Sequence, residues 1–315
     1  MRLNTFKDSI SSITSGPRQA NFELLRIIAM FMVLVVHANF WALGDPSVSQ
    51  AHEAPFQTFI RCLIQIPCAA CVNIFVMISG YFSIKTTIKG GLNFIFQCLY
   101  FSIVTYLIFF VFFDEIPTTT SVLDCLYLNQ SPSWFVKAYL GLYILAPVLN
   151  AFVETATKRK FEILLILFFV FQTYFGLLSN SAKFINNGYS VFSFTGLYLL
   201  GRYIKLYNPR LYFKDAYIIV SIFASIFFFG GFYIGIPYLS YLAFNYISPV
   251  IIYLAIAAIY WCKNLQIPEG GGEVTSSLHS FLPPALVYIW YIKIQFQPES
   301  ILLQRLRIYI FIIQA

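Results

Sequence analysis

The sequence predicts an all-α membrane protein, a polytopic transmembrane bundle of about ten helices with a cytoplasmic N-terminus. Three observations predict it. The chain is 59% hydrophobic and only 10% charged, with mean hydropathy +0.75, whereas soluble domains carry about 25% charged residues. Apolar runs of about 20 residues recur along it, each long enough for a hydrocarbon core of roughly 30 Å. They lack the strict alternation of barrel strands, so helices are the spanning structure that satisfies every backbone group. Finally, lysine and arginine alternate between successive loops.

Residues 1–20 form a polar cytoplasmic tail carrying Arg2, Lys7 and Arg18. The tail is too long and polar for a signal-peptide n-region and no small-residue cleavage site follows, so the first helix is expected to stay uncleaved. Apolar runs then fall near 22–41, 59–84, 92–113, 134–152, 161–178, 191–206, 214–234 and 245–262, with a further pair near 278–294 and 300–314. Segments 1–21, 82–91, 153–160, 202–214 and 263–273 hold thirteen lysines and arginines. The alternate loops 42–58, 114–133, 179–190 and 235–244 hold one, Lys183. Positive loops stay inside, so the N-terminus is expected to be cytoplasmic; the expected location is the inner (plasma) membrane.

The net charge of +7 and pI near 9.0 sit between apolar segments, with no continuous basic face for a phosphate backbone. No nucleic-acid partner is expected; the expected environment is the lipid bilayer. The six cysteines form no disulfide framework. Cys68 and Cys71 make a CxxC without the second pair of a zinc site or the βαβ context of a redox site, and buried helix cysteines are ordinarily small hydrophobes. His52 and His279 have no companions at ligand spacing, so no metal is expected.

The run Asn21–Trp41, NFELLRIIAMFMVLVVHANFW, is long enough to span and carries Glu23, Arg26 and His37. Ionisable groups in such a helix face a protein interior or a watery cavity and mark function. Arg26 and His37 are eleven positions apart. At about 100° and 1.5 Å per residue they share one face roughly 16 Å apart along the axis, marking two depths of one cavity. Glu23 lies on the same face, three residues before Arg26, and can pair with it.

These residues carry a resemblance. Arg26, ten residues, then His37 in a first membrane helix resembles the signature of acyltransferase family 3, integral membrane acyltransferases that decorate bacterial surface glycans. Val72–Phe82 with Ser79-Gly80-Tyr81 resembles that family's Ser-Gly-Tyr/Phe segment. Trp134-Phe135 with Tyr139, Leu140 and Pro147, and Leu200-Gly201-Arg202-Tyr203, match further segments in the family's order. The resemblance covers residues 20 to about 265, and residues 21–265 form the expected acyltransferase-3-like transmembrane domain.

Two features depart from the family. Paired arginines often follow the Ser-Gly segment, where this chain has Lys85 and Lys89. At the end, relatives read Val-Tyr-Leu-Ile-His before Asn-Pro, where this chain reads Val287-Tyr288-Ile289-Trp290-Tyr291-Ile292-Lys293. Shifting the reading frame by two nucleotides permits Val-Tyr-Leu-Val-His-Lys-Asn-Pro. Gly270-Gly271-Gly272-Glu273 can be encoded by a slippage-prone guanine run. Residues 266–315 are therefore expected to be an atypical tail, out of frame from near residue 270.

The resemblance implies transfer of an acyl group, acetyl being the commonest, from acyl-CoA on the cytoplasmic side to a hydroxyl of an extracytoplasmic cell-envelope carbohydrate. No other cofactor is implied. Such chemistry needs a base or relay nucleophile and stabilisation of an oxyanion. His37 suits the base or relay, since imidazole titrates near neutral pH. Arg26 suits donor phosphates or carbonyls, and its pairing with Glu23 is compatible with that. Arg202 is either a phosphate contact or a topology anchor. Asn73 and Ser79 are site-lining groups or interhelical glue. Arg61 and Lys137 either snorkel or contact the acceptor. Two alternatives stay open: a transporter or flippase lined by the same residues, whose helix break Gly230-Gly231 and Gly235-Ile236-Pro237 would allow, and an inactive frameshifted product.

Overall fold

A computed structural model describes residues 19–113, 122–123, 125–127, 134–213 and 215–265. All regular structure among them is helical. In chain order the helices are α1 (Ala20–Val36), which passes into a π-helical turn (His37–Ala42), α2 (Val48–Glu53), α3 (Pro55–Ala69), α4 (Cys71–Phe82), α5 (Ile88–Phe113), α6 (Trp134–Thr155), α7 (Lys158–Phe171), continued by a second π segment (Gln172–Leu178), α8 (Val191–Tyr207), α9 (Ala216–Tyr233), α10 (Pro237–Phe244) and α11 (Pro249–Asn264). Among the described residues, six helical stretches are long and apolar enough to cross a membrane: Ala20–Phe40, Pro55–Phe82, Trp134–Thr155, Lys158–Leu178, Ala216–Tyr233 and Pro237–Asn264. The expected out-of-frame tail, with the last pair of apolar runs, lies outside the described residues.

Local chemistry starts and stops these helices. Side chains of Thr157, Ser190 and Ser248 cap the amides that open α7, α8 and α11, satisfying donors that have no intrahelical partner. Ser47 and Gln50 close a reciprocal capping box on α2. Proline opens α3, α10 and α11, where its missing N–H costs nothing. α8 ends on Asn208 in a left-handed conformation. Gly235, at φ +74°, makes the turn between α9 and α10.

The expected run 59–84 is two helices. α3 carries Pro67 inside it and ends at Ala70, from which α4 starts afresh. The run is apolar on both sides of the break, so hydropathy alone does not show it. The expected run 245–262 begins instead at Pro249, with α10 leading into it.

α4, α8 and α11 form the centre. From Ile251 to Cys262 every residue of α11 is buried except Tyr253 and Trp261. In α4 only Phe75, Ser79 and Phe82 reach any surface. Helices apolar and buried nearly all round are interior pillars, whereas α6 and α7 present broad apolar faces outward.

α4 and α8 make the most extensive contact in the bundle, and two glycines permit it. A Cβ on Gly80 would lie 2.1 Å from Tyr198 O, and one on Gly201 would lie 2.2 Å from Met77 O. Small residues at such crossings let membrane helices approach backbone to backbone.

Candidate active site

The two ends of this bundle differ in chemistry. At one end α1 begins beside the ends of α4, α8 and α11. Asn21 Nδ2 donates to Cys262 O at 2.9 Å, and Phe22 stacks on Tyr81 at 4.6 Å. Glu23 is buried and pairs with Arg26, one helical turn on. The Arg26 guanidinium lies 5.6 Å from the Phe82 ring centroid. Lys205 Nζ sits 4.7 Å over Tyr81, and Lys263 Nζ donates to Asn208 Oδ1 at 2.6 Å. Arg202 precedes Lys205 by three residues, and its Nε is buried without a protein partner among the described residues.

Four cations therefore gather where α1, α8 and α11 meet. Guanidinium groups offer planar forks of donors that match phosphate and carboxylate oxygens. A buried donor lacking a partner is costly unless water or ligand meets it, so this end suits an anionic group.

At the other end α1 runs to Val36, and His37, the first residue of the π turn, keeps helical φ and ψ of −71° and −38°. The helical count from Arg26 to His37 thus holds, and both lie on one continuous rod. His37 Nδ1 is 2.7 Å from Val33 O, one turn earlier. A carbonyl only accepts, so Nδ1 carries the proton in the neutral ring, and the basic lone pair belongs to Nε2. His37 is half-buried, neither sealed in the core nor open to bulk solvent.

Immediately beyond His37 the winding widens to a π turn, a device that recurs at functional sites. Asn39 in this turn donates through Nδ2 to Arg61 O (2.8 Å) and Gln65 Oε1 (3.1 Å). Arg61 replies from α3 through Nε to Asn39 Oδ1 (3.1 Å) and through Nη2 to Asn39 O (2.7 Å) and Gly44 O. Arg61 thus turns its donors inward rather than snorkelling.

The remaining candidates divide between these regions. Asn73 is fully buried and donates to Tyr246 O at 2.9 Å, tying α4 to the turn before α11. Near it Trp134 packs edge-on against Tyr189 at 4.4 Å and lies 5.9 Å from Tyr246. Lys137, half-buried, is in the first turn of α6 beside this aromatic group. Ser79 contacts Phe75 O at 2.9 Å and Tyr139 Oη at 3.0 Å. Ser79 is one turn before Phe82, the ring that Arg26 covers, so the Ser79–Tyr139 pair belongs near the cationic end.

The structure therefore brings Glu23, Arg26 and Arg202 together at one end, and His37 and Arg61 together at the other through Asn39. Sequence reasoning overlooked Asn39. Its signal was an amide two residues after the histidine in an otherwise apolar stretch.

A polytopic bundle with an imidazole and a guanidinium on one apolar helix defines the class: an integral membrane protein with ionisable groups among its helices. The family model for the acyltransferase domain, acyltransferase family 3, matches residues 19–297, and the chain belongs to this family. Among curated proteins and among solved structures, none matches the chain.

Proposed function

We propose that this membrane acyltransferase moves an acetyl group from acetyl-CoA, bound at the Arg26 end, to a hydroxyl of a cell-envelope carbohydrate at the His37 end. The observation that carries the reading is the Nδ1 contact of His37 with Val33 O, which puts the basic lone pair of the neutral, half-buried ring on Nε2. Family membership supports acyl transfer over transport. The loop charges support a cytoplasmic Arg26 end in the inner membrane.

In this mechanism Arg26, with Arg202 and Lys205 near it, holds the phosphates of the donor, and the acyl thioester reaches toward His37. The acceptor hydroxyl attacks the thioester carbonyl carbon while Nε2 takes its proton. The C–O ester bond forms, the C–S bond breaks, and the proton passes from the imidazolium to the departing thiolate. Ser79 and Tyr139 offer hydroxyls about one turn in from the Arg26 end, suited to the donor's amides or to the oxyanion. Asn73 and Lys137 lie on the acceptor side, beside an aromatic group suited to stacking on a sugar face.

The test is transfer of label from acetyl-CoA to surface glycan by this chain and by a version with the shifted frame restored after Gly272, each with and without His37→Ala. Transfer is expected to vanish with His37→Ala while the protein stays inserted and monodisperse. Retained transfer removes His37 from the mechanism. Transfer that appears only in the restored frame marks the present chain as the inactive product.

A further inference from the structure

The π-helical turn His37–Ala42 needs an explanation. Its sequence, HANFWA, contains neither proline nor glycine, and π winding is rare because its hydrogen-bond geometry and packing are poorer than those of an α-helix. Such a conformation persists only where the surroundings over-determine it. The fastening is visible. Arg61 places Nη2 on the main-chain oxygens of Asn39 and Gly44 and Nε on the Asn39 side chain, while the Asn39 amide returns to Arg61 O and Gln65 Oε1. The guanidinium also covers Phe40 at 5.7 Å from the ring centroid, and Phe40 is packed against Phe228 and Phe244 at 5.8 and 5.5 Å.

We infer that Arg61 is a positioning residue, whose fork holds the π turn that begins at His37 and so fixes the backbone from which the catalytic ring projects. The inference rests on the reading of His37 as the base. His37 is the first residue of the turn. Val33 O holds its Nδ1, and the π winding sets the path of the main chain that leaves its Cα. Without the fork, Asn39 O and Gly44 O lose their partner and the segment relaxes toward ordinary α winding. The main chain that carries and follows His37 then shifts by a fraction of a turn. Misplacement on the ångström scale is enough to cost on the order of 10²-fold in rate. Lysine cannot substitute, because one ammonium does not reproduce a planar set of donors reaching three oxygens.

The alternative for a cation at this end of the bundle is direct contact with the acceptor, and kinetics separate the two. The full chain in vesicles, in whichever reading frame is active, is assayed with labelled acetyl-CoA and envelope glycan. The variants are Arg61→Lys, Arg61→Gln, Asn39→Ala and the double variant Arg61→Gln/Asn39→Ala, with His37→Ala alongside. All rates are referred to the monodisperse inserted fraction.

The expected result is a fall in kcat of about tenfold or more for every Arg61 variant, with the acceptor KM within about twofold of the parent. The double variant should be no slower than the worse single one, because both remove one fastening. A raised acceptor KM at unchanged kcat overturns the inference in favour of acceptor contact. Parent-like kcat for Arg61→Lys, or losses that multiply in the double variant, also overturns it. If Arg61→Gln does not insert, Arg61→Lys and Asn39→Ala carry the same kcat prediction, and a parent-like rate in either refutes it. Transfer retained by His37→Ala sinks the proposed function, whereas loss there beside normal Arg61 variants sinks this inference alone.

Discussion

At the scale of single residues, Arg26 does two compatible things. Its pair with Glu23 neutralises a buried carboxylate, and its position over Phe82 holds the guanidinium plane. Of the five donors on a guanidinium, one meets Glu23, so others remain for a donor phosphate. Arg26→Lys keeps the charge and loses the fork. It is expected to raise the KM for acetyl-CoA by about tenfold, equivalent to about 1.4 kcal/mol, with a smaller effect on the acceptor. A donor titration checks this, and an unchanged KM separates Arg26 from donor binding. Arg26 and His37 were legible in the sequence because a charge or an imidazole in an apolar run stands out on composition alone. The partnership of Asn39 with Arg61 was not. It joins positions 22 residues apart, and nothing in either local stretch specifies the other.

Among the elements, the α4–α8 crossing and the π turn were hidden for opposite reasons. The glycines at the crossing are conspicuous, yet a glycine in an apolar helix does not say what approaches it. The π turn leaves no mark, since its residues are ordinary helix residues held in unusual winding by a neighbour. The break at Ala70 had a single hint, Pro67, inside a run that otherwise reads as one span. The crossing yields a stability prediction. Gly201→Ala places a methyl 2.2 Å from a main-chain oxygen, where no flexible side chain can yield. The expected cost is about 1–3 kcal/mol, seen as a lowered midpoint in detergent thermal unfolding. Gly230→Ala meets nothing within 4 Å and is expected to leave the midpoint unchanged or slightly raised. Equal midpoints for the two variants would dissolve the close-packing argument.

For the whole molecule, the helical membrane class was legible because it follows from summed properties, hydropathy and loop charge, that tolerate local error. Which helices are central was not, since α11 and α7 are similarly apolar and differ in what surrounds them. Orientation is testable directly. Ser49 and Arg159 are exposed at opposite ends of the bundle. With the proposed sidedness, Ser49→Cys reacts with a membrane-impermeant maleimide on intact cells, and Arg159→Cys reacts only after permeabilisation, against the parent chain as background. The reverse pattern inverts the bundle and puts the cationic end outside.

Arg26 and His37 belong to the same unbroken helix, so about 16 Å between them is maintained by main-chain hydrogen bonds rather than by the packing of separate helices. When neighbouring helices tilt or slide, the two groups travel together. The helix is a gauge of fixed length. In the proposed mechanism, a donor gripped at its phosphates presents its thioester to the imidazole only if its flexible arm spans that length, so reach, as much as the identity of either end, would select what is accepted.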